Sequence, residues 1–413
     1  MCRADPSSPR VNARADRFPL FDSLRAIAAL SVLATHCAVF GISPRLRPYG
    51  ARLEAGVAIF FVISGFLLYR PFAKSRLFGD EAPRVVAYAW RRFLRIGPAY
   101  WVALTVIGLT LGLPGLFGSD VPLLYGFAQT WKESTIGSGL SQGWTLCIEI
   151  TFYAFLPLWA WAMRQVRGGD FDARLRSEVV ALAGLFCVSV AYKVAILASG
   201  THKVVITPQL DALPSFLDQF ALGMGLAVLS LCIERRGALP RALSVIDRFP
   251  SIPWIVALVA FWAASTRLGL TGQLLEPFTP AQYLGRHLLY AVIGLGIVTP
   301  AVIGQSTRGV VRRILANRVL LYLGLISYGI YLYSPAAHTT LERLGFSPNP
   351  PFDAFFLWVP VTAAVAILFA TASYYVVERQ ALSLKRLVPI RPQLRGEAIA
   401  EPAPAAPPAQ QRS

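Results

Sequence analysis

Residues 354–377 read AFFLWVPVTAAVAILFATASYYVV, twenty-four consecutive positions without a charge. A helix needs about 20 mostly apolar residues to cross a bilayer, so this stretch reads as a membrane span. Nine further stretches read the same way: 24–42, 54–71, 95–114, 144–163, 178–199, 213–233, 252–268, 283–303 and 318–339. The apolar segment 121–131 is short and is expected to be a re-entrant or interfacial piece. The fold class predicted is an all-α, polytopic transmembrane helix bundle of about ten spans.

The distribution of basic residues orients the bundle. With the N-terminus inside and the spans alternating, the inside segments hold 29 Lys/Arg and the outside loops hold 7. Arg25, Lys193 and Arg286 remain within or at the ends of spans. This asymmetry follows the positive-inside rule and predicts that both termini are cytoplasmic. Residues 1–20 form a basic cytoplasmic segment carrying Arg3, Arg10, Arg14 and Arg17. The apolar run after it lacks an A-x-A exit and reads as a retained first helix, not a cleaved signal. Residues 21–388 form the transmembrane domain. Residues 389–413, rich in Pro and Ala, are expected to be a disordered cytoplasmic tail. No loop is long enough for a soluble domain.

Composition supports the same class. Of 413 residues, 55 % are hydrophobic and 15 % charged, and the mean hydropathy is +0.53. Such a chain would expose too much apolar surface as a soluble globule. The net charge of +17 is explained by topology, and nucleic acid is not expected as a partner. Five cysteines without a CxxC pair and four histidines suggest neither a disulfide framework nor a metal site. The chain carries no P-loop and no dinucleotide fingerprint.

A charge at the bilayer centre costs about 2.5–3.5 kcal/mol on insertion scales, so polar residues inside spans are the candidates for function. Arg25 and His36 on the first span are eleven residues apart. At 100° per residue they share one face, separated by about 16 Å along the axis. Imidazole is the natural general base near neutral pH. Glu149, in WTLCIEITFY, lies in the outer half of the fourth span. Its depth is compatible with meeting His36; the bland alternative is a carboxylate paired with an arginine or a tyrosine hydroxyl. Arg91, Arg92 and Arg95 lie in RRFLRIGPAYW at the inner mouth of the third span. They serve topology, or they form an anion site in which guanidinium forks hold phosphates and Tyr100 and Trp101 offer an aromatic surface. Ser64 and Gly65 are small residues for close helix packing, and Ser64 is also a candidate cavity liner.

Six stretches occur together in order: FDSLRAIAALSVLATH, GVAIFFVISGFLL, RRFLRIGPAYW, WTLCIEITFYAFLP, LGLISYGIYLY and SYYVVERQAL. Together they resemble the acyltransferase 3 family of bacterial integral-membrane acyltransferases, over roughly 17–388. The resemblance implies transfer of an acyl group, often acetyl from cytosolic acetyl-CoA, onto a sugar hydroxyl of a polysaccharide, glycolipid or glycosylated metabolite. It implies a bacterial-type inner membrane and no tightly bound cofactor. Arg25 and His36 match the family's Arg-x10-His pair; Arg91, Arg92 and Arg95 match its basic motif; Trp144 and Glu149 match its Trp…Glu motif; Ser64 matches its second-span serine. Two departures stand out: Ala58 occupies a position that is often Asp, and Ser334 one that is often His, with His338 four residues later.

The implied chemistry assigns His36 as general base, with Glu149 orienting its imidazole. Arg25, Arg91, Arg92, Arg95, Tyr100 and Trp101 would bind acyl-CoA, and Ser64 and Trp144 would line the substrate path. Both direct attack and an acyl-His intermediate fit. A sugar or lipid transporter is the competing class, although no related halves are visible; a non-catalytic scaffold is the third. The sequence does not read out the acceptor or the oligomeric state.

Overall fold

The computed structural model describes residues 18, 20–166, 168–200, 207–237, 239, 241–273, 276–303, 309–348 and 353–388. Most of the basic N-terminal segment and the 389–413 tail lie outside them. Each of the ten apolar stretches is helical: α1 (Leu20–Gly41), α2 (Gly56–Phe78), α3 (Val85–Leu111), α4 (Trp144–Gln165), α5 (Phe171–Ser199), α6 (Leu213–Arg236), α7 (Ile252–Thr266), α8 (Pro280–Val302), the broken pair α9 (Arg318–Leu325) and α10 (Ser327–Arg343), and α11 (Phe355–Ser373).

Among the described residues, eight helices are long and apolar enough to cross a membrane, and nine when the α9–α10 pair, bent by 74°, is counted as one span. The expected span at 252–268 is a shorter apolar helix, α7. It has 15 residues, a rise of about 22 Å against a hydrocarbon core of about 30 Å. The apolar segment at 121–131 is not a span: Val121–Tyr125 is a five-residue helix. Large apolar side chains such as Val180, Leu258 and Leu368 stay exposed on the bundle's outside, as lipid-facing surfaces require.

The second span is the hub. Phe61, Val62 and Phe66 are fully buried, and α2 crosses α6 at very short range. A Cβ on Gly65 would lie 2.3 Å from the Phe220 carbonyl, and one on Gly223 would lie 2.1 Å from the Val62 carbonyl. Two glycines facing each other's backbone set this crossing, the small-residue device by which membrane helices gain dispersion contact. Ser64 is thereby turned off the crossing and toward α4.

A second polar feature ties α5, α6 and α8. Lys193 Nζ lies 2.7 Å from Asp218 Oδ2, both fully buried, and Asp218 Oδ1 lies 3.1 Å from His287 Nε2. The lysine also donates to the Ser215 carbonyl at 2.8 Å. Buried charges of this kind must be paired, and here they are.

Candidate active site

A cavity of about 370 Å³ opens at one end of the bundle, between α1, α2, α3, α4 and α10. Its charged lining comprises five cations, Arg25, Arg91, Arg92, Arg95 and Lys385, and one carboxylate, Glu149. Two of the cations are countered. Arg25 lies 3.1 Å from Asp22, and Arg95 lies 3.4 Å from Glu378. Glu378 ends a π-helical turn, Tyr374–Glu378, that continues α11; the wider turn re-aims its carboxylate. Arg91 and Arg92 have no carboxylate partner among the described residues, and the Nε of each is buried without a hydrogen bond. Buried donors left open around a cationic cavity are suited to an anionic ligand with several oxygens.

Glu149 is held on both sides. Its Oε1 accepts from Ser64 Oγ at 3.2 Å, and its Oε2 accepts from Tyr153 OH at 2.9 Å. Tyr153 is four residues along α4, so the pair is the usual i,i+4 neighbour relation on a helix. Tyr331 and Thr145 also line the cavity. Tyr331 OH lies 2.6 Å from Thr145 Oγ1 and 2.9 Å from the Gln142 carbonyl, while Phe60 packs edge-on against its ring.

His36 lies outside this lining. Its Nδ1 is 3.4 Å from Ser334 Oγ, three residues beyond Tyr331 on α10, so it sits about one turn along α10 from the cavity lining. The side chain is half-buried, and Glu54 and His338 are the ionisable groups in electrostatic reach. The expected Glu149–His36 pairing is therefore replaced: Glu149 faces Ser64 and Tyr153, and His36 faces Ser334.

Six of the sequence-predicted residues meet in the cavity: Arg25, Ser64, Arg91, Arg92, Arg95 and Glu149. Tyr100 and Trp101 do not. Each spends its polar atom on the 121–125 segment: Tyr100 OH donates to the Leu124 carbonyl and Trp101 Nε1 to the Tyr125 carbonyl, both at 2.9 Å. A buried hydroxyl needs such an acceptor, and the neighbouring loop supplies it. Trp144 packs on Phe216 with ring centroids 5.8 Å apart, in the core between α2, α4 and α6. Sequence reasoning missed Tyr153, Tyr328, Tyr331 and Lys385. Tyr153 alone carried a readable signal, its i,i+4 spacing from Glu149.

A family profile for an acyltransferase domain matches residues 19–375. The chain belongs to the acyltransferase 3 family. A Staphylococcus aureus (strain COL) protein named "Putative O-acetyltransferase" is 25 % identical over 376 residues, covering 87 % of this chain and 56 % of the relative. The chain thus spans about half the length of these staphylococcal relatives. The exopolysaccharide production protein ExoZ of Rhizobium meliloti (strain 1021) is 26 % identical, covering 83 % of this chain and 94 % of its own length. Acyltransferase MdmB of Streptomyces mycarofaciens is 32 % identical over 169 residues, 37 % of this chain and 42 % of MdmB. No solved structure matches. The matched acyltransferase domain takes in most of the chain's long apolar helices.

Proposed function

We propose that this protein transfers an acyl group, acetyl first among the candidates, from cytosolic acyl-CoA to a sugar hydroxyl of a cell-envelope polysaccharide, glycolipid or glycosylated metabolite, in a bacterial-type inner membrane. One observation carries the reading. A cavity with five cations and two open guanidinium Nε atoms lies at one end of α1, and a histidine lies near the other end of the same helix. Arg25 and His36 are separated by about 16 Å of helix rise. Acyl-CoA has that shape: phosphates at one end, a thioester at the other, and a long arm between. The names of ExoZ and the staphylococcal relatives favour a sugar acceptor and an acetyl group.

In this reading Arg91, Arg92 and Arg95 hold the phosphates, and Arg25 and Lys385 line the donor path. Glu149, fixed by Ser64 and Tyr153, is an acceptor for an amide N–H of the pantetheine arm. The acyl group passes Tyr331 toward His36. The sugar oxygen attacks the thioester carbon as His36 takes the hydroxyl proton. The C–S bond then breaks and the imidazolium returns its proton to the thiolate, giving ester and free CoA thiol.

Thiol release from acetyl-CoA by detergent-purified protein, with and without a crude envelope-glycan extract, tests this. Release stimulated by the extract is expected in the parent and not in His36→Ala. Near-normal release by His36→Ala, or none from folded parent protein that also fails to bind any acyl-CoA by calorimetry, would overturn it.

A further inference from the structure

Ser334 sits at the hinge between the cavity wall and His36, and its hydrogen bonds constrain the histidine's tautomer. The hydroxyl lies 3.3 Å from the Tyr331 carbonyl, one turn back on α10, and 3.4 Å from His36 Nδ1. A hydroxyl has one proton to donate and lone pairs to accept with, whereas a carbonyl only accepts. The Tyr331 carbonyl has no helical N–H to accept from, because Pro335 lacks one, and it takes Gln142 Nε2 at 3.4 Å; with the serine proton as its second donor, a lone pair of Oγ faces Nδ1. In that arrangement Nδ1 carries the hydrogen and donates it to Oγ. In neutral imidazole this leaves Nε2 bare. Ser334 is fully buried, so water has no access to substitute for it.

We infer that Ser334 is the positioning residue that holds His36 as its Nδ1–H tautomer, presenting Nε2 to the acceptor hydroxyl. The inference rests on the proposed role of His36 as general base and assigns the orienting part to Ser334 instead of Glu149. When Nε2 takes the proton, the Nδ1–H···Oγ bond persists, so the imidazolium forms without reorganising its support. No proton leaves the site: the one taken from the acceptor is the one returned to the thiolate. The groups that face His36 electrostatically are Glu54, from the segment preceding α2, and His338 on α10. His338 stacks on Trp358 at 4.2 Å and lies 3.6 Å from Glu342, one turn farther along.

The test combines spectroscopy with kinetics. ¹⁵N-histidine-labelled protein in detergent is examined by NMR at neutral pH, with the His36 signal assigned by its loss in His36→Ala. The parent is expected to show Nδ1 protonated and Nε2 bare. Ser334→Ala is expected to lose that preference and about tenfold in kcat, the worth of one hydrogen bond, with KM for acetyl-CoA unchanged; Ser334→Thr keeps the hydroxyl and restores both. An Nε2–H tautomer in the parent overturns the inference without any variant. So does a folded Ser334→Ala with parental kcat and parental tautomer. Full turnover by His36→Ala instead strikes the underlying reading, a separate outcome.

Discussion

Arg92→Ala isolates the donor site from the stability of the fold. Arg92 has no carboxylate partner among the described residues and its Nε is buried without a hydrogen bond. Arg92 and Arg95 both act repulsively on Arg25 across the cavity. Deleting Arg92 breaks no ion pair; it relieves like-charge crowding but gives up its attraction to Glu149, so the melting temperature of the purified protein is expected to hold. Binding should weaken. A hydrogen bond to a charged group is worth about 1.5–3 kcal/mol, and 1.4 kcal/mol is a factor of ten, so the Kd for CoA should weaken by about 10- to 150-fold. Arg95→Ala is the contrast. It strips the partner from Glu378, whose side chain is 1 % exposed, and breaking a buried pair from one side costs about 3–5 kcal/mol. That variant should lose stability as well as affinity. Isothermal titration calorimetry at fixed ionic strength reads the affinity and a thermal shift reads the fold. An Arg92→Ala protein that binds CoA as tightly as the parent would refute the assignment of this cavity to the donor's phosphates.

Two further expectations concern the fold. Gly223→Ala pushes a methyl group to 2.1 Å from the Val62 carbonyl; with backbone on the other side nothing can yield, and a loss of at least about 1–3 kcal/mol is expected, seen as a lower midpoint in denaturant or poor recovery from the membrane. Lys193→Met leaves Asp218 buried with His287 as its remaining ionisable partner; about 3–5 kcal/mol should be lost, and Lys193→Met/Asp218→Asn should recover most of it in a thermal-shift series.

The apolar stretches were legible because a bilayer demands a long uncharged run, and each of the ten is a helix. The shortness of α7 and the break between α9 and α10 were not, because a hydropathy window averages over about twenty residues and is blind to direction. The packing of α9 shows only in the folded chain: a Cβ on Gly324 would lie 1.9 Å from the Asp22 carbonyl, so α9 presses its backbone against the start of α1. The cavity arginines at the mouth of α3 were legible only as one of two readings, since Lys/Arg flanking a span also follow from topology alone; the order of the motifs around them tipped the reading toward a site. The partner of Glu149 was harder. Depth along two helices can be counted from sequence, but the rotation of one helix against the other is set by side-chain packing. Gly65 against Gly223 fixes that rotation for α2 and brings Ser64 to Glu149. Tyr100 and Trp101 misled for a related reason: the loop that takes their polar atoms precedes α4 and carries no motif.

The placement of α10 links these points. Tyr331 lines the cavity and Ser334, three residues on, meets His36, so one face of one helix serves both sides of the proposed acyl passage. A rotation of α10 by one residue, 100°, would carry Tyr331 off Thr145 and Ser334 off His36 together. The 74° bend before Ser327 lets α10 take its own angle independent of α9, while Gly329 packs without a side chain against Ala370 of α11, where a Cβ would come within 2.8 Å of the Ala370 Cα and Cβ. Gly329 thus seats α10 on α11 by backbone contact, which is stiffer than side-chain packing. In the proposed reaction that stiffness has a use. The imidazole must meet a thioester arriving from one end and a hydroxyl arriving from the other, and a tautomer fixed by α10 keeps Nε2 bare whichever substrate binds first.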